Sequence, residues 1–193
     1  MATLSDSYAR TLALMDKSDL GAASAEFNGR FVPAVKKLYS EAASTYPVRF
    51  SKVKEWCDWS KTLYKQTLLT AKALQSKKQT DAQQNLQEIR QLFYKIHAEA
   101  ELLKNSDYIF LFKSMVGKDN PNAEKVTSII KMIEGAAPSV KTKAEPDAYK
   151  QALTSWKDQV AEIIKDNSIS PDELTKLRTI TESLYRQYGV QFQ

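Results

Sequence analysis

His97 is the only histidine in the chain, and Glu101 follows it four residues later. On a helix that spacing puts both side chains on one face, where an imidazole and a carboxylate would supply two ligands to a divalent metal. Two ligands do not close a site. Carboxylate di-iron bundles draw Glu-x-x-His pairs from two helices, with further glutamates, and structural zinc sites need four Cys or His ligands. A single histidine satisfies neither pattern. No metal is therefore assigned, and His97 and Glu101 stand only as partial ligand candidates. The same imidazole would have to serve a non-covalent haem, with Met15, Met115 or Met132 opposite. No Cys-x-x-Cys-His occurs, so covalent haem attachment is excluded. Methionines at helical spacing usually fill cores, and no cofactor is expected.

Cys57 is the lone cysteine, so no intramolecular disulfide can form. Lys54 and Lys61 stand near it in sequence, and cations favour the reactive thiolate. Its place on an apolar stripe and the lack of an activating base argue instead for a small buried hydrophobe. Glu41, Glu55, Glu88 and Glu182 fall on polar helix faces, with no acid–base pair evident. Glycine loops that cradle phosphate are missing from the sequence.

Charge is distributed unevenly. Of the net +5, residues Val48 to Lys78 supply +6, from eight basic and two acidic side chains, leaving the rest at −1. Lys54, Lys61, Lys65 and Lys72 cluster within one arc at helical spacing. Such a stripe can track phosphates or an anionic headgroup surface. Aromatic residues are scarce on that arc, so base stacking and sequence-specific nucleic-acid reading are not expected. The function read from these residues is a non-enzymatic binding module that engages a protein or polyanionic partner through the lysine face. The alternatives are a bundle carrying a ligand, metal or haem in an apolar interior near His97, and an enzyme built on carboxylates alone.

The elements that position these residues are helices. Hydrophobic content of 42% and charged content of 26% suit a folded chain, and 5 Gly with 6 Pro are too few for a turn-rich sheet protein. Tyr8, Leu12 and Met15 mark a first short helix. Leu20, Ala23, Phe27, Phe31, Ala34, Leu38 and Ala42 mark a second, in which Pro33 predicts a kink or a break at Val32–Pro33 before the run ends at Thr45–Pro47. A third helix is expected over about 48–76, with Phe50, Val53, Cys57, Ser60, Tyr64, Thr67, Ala71 and Leu74 inward and Trp56 and Leu63 widening that face. The fourth opens on a Thr80–Gln83 capping box and turns Leu86, Ile89, Phe93 and Ile96 inward. A short apolar helix, Tyr108–Val116, follows and is expected to pack against aromatic neighbours. A helix after Asn120–Pro121, a loop over Ala137–Lys143, a helix from Pro146 and a last helix from the Ser170–Glu173 capping box complete the chain.

These elements predict an all-α fold, an up-and-down antiparallel bundle of four long helices with shorter capping helices, in a single domain over residues 1–193. Leu86, Ile89, Phe93, Tyr94 and Lys95 recur 91 positions on as Leu177, Ile180, Leu184, Tyr185 and Arg186. A helix with Trp59 or Trp156 precedes each set, so units of about 48–104 and 145–189 read as a duplicated helical hairpin. No apolar run reaches the roughly 18 residues of a membrane span. The N-terminus has neither a basic nor an apolar leader region, which fits a cytoplasmic chain or an exported one whose signal has been removed. The sequence does not specify an oligomeric state.

Overall fold

The computed structural model describes residues 2–42, 50, 52–118, 121–137 and 145–191. The fold is all-α, and no strand occurs among the described residues. Among the described residues no helix is long and apolar enough to cross a membrane. The helices gather into two compact units, one ending at Leu102 and one spanning Leu103–Gln191. The expected chain break at Thr45–Pro47, Arg49 and most of the Ala137–Lys143 loop lie outside the described residues.

The first unit holds α1 (Ala2–Asp16), α2 (Leu20–Glu26), α3 (Val32–Ala42), α4 (Trp56–Gln75) and α5 (Gln79–Glu99). Tyr8, Leu12 and Met15 of α1 are buried as their spacing predicts, joined by Leu4, and the Tyr8 hydroxyl donates to the Leu86 carbonyl at 3.0 Å. Asp19 caps α2 by accepting from the Ala22 amide at 2.9 Å.

Between α2 and α3 the helix does not break. Residues Phe27–Phe31 form a π-helical turn, and the Val32 amide reaches back to the Phe27 carbonyl. The reason is Pro33. In a regular helix its ring would press on the Gly29 carbonyl and its missing amide would leave that carbonyl bare. The wider turn takes up the strain one residue earlier. It also resets the phase, because steps of four residues drift about 40° each in an α-helix but stay in line through a π turn. Ala23, Phe27, Phe31 and Val35 are thus all completely buried, with the Phe27 and Phe31 rings stacked at 4.7 Å. Val35 replaces the expected Ala34 as the inward residue.

On α4 the inward face is Trp56, Ser60, Leu63, Thr67, Thr70, Ala71, Ala73 and Leu74. Cys57, expected inside, is exposed, and Tyr64 is half-buried. Trp56, expected to widen the inward face, lies in the core, stacking on Phe50 at 4.6 Å within a cluster that includes Val53, Ile96 and Ala100. The buried hydroxyls of Thr67 and Thr70 donate to the Leu63 and Gln66 carbonyls at 2.8 and 2.9 Å. Small polar side chains can therefore be buried on α4 without losing their hydrogen bonds. The expected Thr80–Gln83 capping box does not form, because α5 starts at Gln79 with Lys78 in the cap position and no side-chain cap bond.

The second unit holds α6 (Asn105–Lys118), α7 (Ala123–Gly135), α8 (Glu145–Ile164) and α9 (Pro171–Leu184), with a π turn at Tyr185–Gly189. Ile109, Phe110 and Phe112 of α6 are buried, as expected for a packed segment. Phe112 meets Trp156 edge-on at 4.9 Å and Phe110 lies 6.1 Å from Tyr185. The Ser170–Glu173 capping box forms with Pro171 at the first turn. Gly189 sits where α6 and the π turn touch, since a β-carbon there would lie 2.8 Å from Ile109 Cγ2 and 2.5 Å from Tyr185 Cδ2.

Three measurements follow from this packing. Gly189→Ala is expected to lower stability by about 1–3 kcal/mol in denaturant unfolding, as overpacking does. Lys77 holds φ +55° just after α4, a left-handed conformation that costs a side-chain-bearing residue about 1–2 kcal/mol. Lys77→Gly should raise stability by about 0.5–1 kcal/mol once glycine's own entropy cost is deducted. Tyr149 has its pKa pushed up to about 12 by burial, with the Asn105 side chain pulling the other way and Tyr188 adding to the rise. The folded state thus favours the neutral phenol, so this contribution is intact below about pH 10 and is lost as pH rises through about 12. Thermal melts across that window should fall more steeply for the wild type than for Tyr149→Phe.

Candidate functional site

The lysines of α4 define the surface of interest. At 3.6 residues per turn, Lys61, Lys65 and Lys72 fall within about 40° of one another and about 160° from the Trp56–Leu63–Leu74 core direction. All three are exposed, and none forms an ion pair among the described residues. Lys54 is exposed too, but it sits in the turn before α4 rather than on the helix. The structure thus brings three of the four predicted lysines onto one helical face and places the fourth just before its start.

Two further residues belong to that face. Leu68 lies along the helix between Lys65 and Lys72, three residues from the one and four from the other and two turns from Lys61, and is 46% exposed; Leu69 beside it is 45% exposed. Sequence reasoning left both leucines out of the inward stripe but gave them no role. Their signal was present in their register with the lysines rather than with Thr67 and Ala71. At one edge the Tyr39 ring of α3 stacks on Tyr64 at 5.1 Å, and Tyr39 is itself partly exposed. A cleft of about 260 Å³ opens beside that stack, lined by Tyr39, Ser40, Cys57, Asp58, Ser60 and Lys61.

His97 and Glu101 are not brought together. Helix α5 ends at Glu99, and the chain reverses with Glu101 at φ +58°. The Leu102 amide bonds to the His97 carbonyl at 2.8 Å and the Glu101 amide to Ala98 at 3.2 Å, the paired bonds of a Schellman ending. The i, i+4 face on which the pair depends therefore stops short of Glu101. His97 is buried at 2% exposure beside Phe93, while Glu101 is exposed and pairs with Lys52. Among the described residues no group of three metal-ligating side chains is assembled. Met15 and Met115 are core residues, and Met132 is exposed.

Arg90, two helical turns before His97, is wholly buried, a placement its sequence position on α5 did not announce. Glu41, Glu55 and Glu88 are exposed, and Glu182 pairs with Arg186 at 2.7 Å and Lys113 at 3.0 Å. A cleft of about 570 Å³ between α8 and α9 is edged by Glu162, Lys165, Glu173 and Lys176 over Ile163 and Ile180. Two of its carboxylates already have partners: Glu162 pairs with Lys165, and the Ser170 amide and hydroxyl hold Glu173 below its ordinary pKa. Glu173 spends its lone pairs on the helix cap.

No family model, no curated protein and no solved structure matches this chain.

Proposed function

We propose that this chain is a non-enzymatic binding module that engages an anionic partner through the outer face of α4. The observation that carries this reading is the alignment of exposed Lys61, Lys65 and Lys72 on a face that also exposes Leu68 and Leu69. Intramolecular pairing would have screened those ammonium groups, and elsewhere in the chain it does. Lys37 pairs with Glu41, Lys78 with Asp81 and Lys157 with Glu134. Three aligned cations without such partners keep their charge available to a ligand. The segment that carries them holds +6 against −1 for the rest of the chain.

Chromatography on an immobilised sulfated polyanion tests the reading, because such binding is weakened by salt. The wild type should be retained and should elute as ionic strength rises. Lys61→Glu/Lys65→Glu should elute at clearly lower salt. Lys131→Glu/Lys150→Glu, which makes an equal change in net charge at exposed positions of the second unit, should shift much less. Equal elution of the wild type and the α4 variant would refute the assignment.

A further inference from the structure

We infer that the anionic partner of the α4 face is a lipid bilayer surface bearing acidic headgroups. This rests on the reading of α4 as an anion-binding face and specifies what the anion is attached to. The leucines decide it. Leu68 and Leu69 expose 46% and 45% of their surface within or beside the lysine arc. A soluble polyanion offers phosphates or sulfates to the lysines and nothing apolar to the leucines. A bilayer interface offers both, at different depths: ammonium groups at the headgroup level, lysine stems and leucines toward the acyl boundary.

Geometry points the same way. Lys61 to Lys72 spans about 16 Å of a single helix at 1.5 Å per residue. The outside of one helix is convex and narrow, whereas a stable protein partner typically covers about 800 Å² per side. A headgroup layer moulds around such a ridge. The Tyr39–Tyr64 stack at the edge adds aromatic side chains with polar tips, the type that settles at membrane–water boundaries. Asp58 is the acidic residue in the same arc, and it lies at the helix start, away from Leu68 and Lys72. Each lysine near an acidic surface is worth about fivefold in partitioning, and the two leucines together about tenfold. Binding is therefore peripheral and reversible.

Co-sedimentation with vesicles reads the inference directly. The wild type should pellet with phosphatidylcholine vesicles containing phosphatidylserine and stay in solution with pure phosphatidylcholine. Leu68→Ser/Leu69→Ser should lose about tenfold in partitioning while eluting from the sulfated polyanion as the wild type does. Lys61→Glu/Lys65→Glu should lose more than about twentyfold. All of these residues are exposed, and circular dichroism establishes that each variant keeps its helices. Polyanion retention without binding to acidic vesicles would overturn the lipid assignment and leave a soluble polyanion or acidic protein as the partner. Vesicle binding unaffected by the leucine change would overturn it as well. Failure to bind either the matrix or the vesicles would overturn both this inference and the anion-binding reading beneath it.

Discussion

Ser60, Thr67, Thr70, Ala71 and Ala73 set how closely α4 can lie against the helices beside it. Each is buried, and their side chains are short enough to let backbones approach while Trp56, Leu63 and Leu74 fill the space around them. The alternative rotation, with Leu68 and Leu69 inside, would bury more apolar surface per side chain. It would also carry Lys61, Lys65 and Lys72 toward the core, because Leu68 shares their arc. Burying ammonium groups without partners costs far more than two half-exposed leucines return. The phase of α4 is thus fixed by what must stay out as much as by what packs in. The exposed basic and apolar face follows from that one choice.

Helix endings in this chain obey a second constraint. Ser18, Lys77, Glu101 and Asn167 all adopt positive φ, while no described glycine does. The bonds that close these turns, such as Lys78 amide to Ala73 carbonyl at 2.9 Å, satisfy carbonyls that a helix end leaves bare. Each ending accepts the local cost of a side chain in the left-handed region in return for that closure. At Glu101 the consequence reaches the chemistry. The residue that would have shared a face with His97 is turned outward to Lys52, so a spacing with ligand potential becomes a helix stop.

Much of the helical pattern was legible in the sequence because periodicity and caps are local. The α1 stripe, the Ser170–Glu173 box and the packed character of Phe110 and Phe112 could be read from neighbouring residues alone. What escaped was phase and extent. Of the inward positions read on α4, Trp56, Ser60, Leu63, Thr67, Ala71 and Leu74 are buried, and only Cys57 and Tyr64 fall at the outer edge of that face. The Thr80–Gln83 box is a sound local signal overridden by α5 beginning at Gln79, two residues before a Thr80 cap would start it. Proline signalled trouble at position 33, but a π turn that absorbs it depends on Phe27 and Phe31 having a core to face. The lysine face was legible for the opposite reason. Solvated charges need no partner in space, so spacing alone places Lys61, Lys65 and Lys72 together.

The weight placed on Leu68 and Leu69 rests on their surroundings rather than on exposure itself. Single apolar side chains on a surface are ordinary, and Met132 on α7 is equally exposed at 46%. Met132, however, shares its arc with Ser128 and Gly135, and its nearest cation on that side, Lys125, lies two turns away. Nothing there joins apolar surface to aligned charge. On α4 the two leucines are adjacent, cations flank them within one turn on either side, and a tyrosine stack borders the arc. Solubility alone would be served by lysines without leucines, and a hidden contact by leucines without lysines. Their combination on one exposed helix face favours a partner that is both charged and apolar within a few ångströms of depth, as the boundary of a bilayer is.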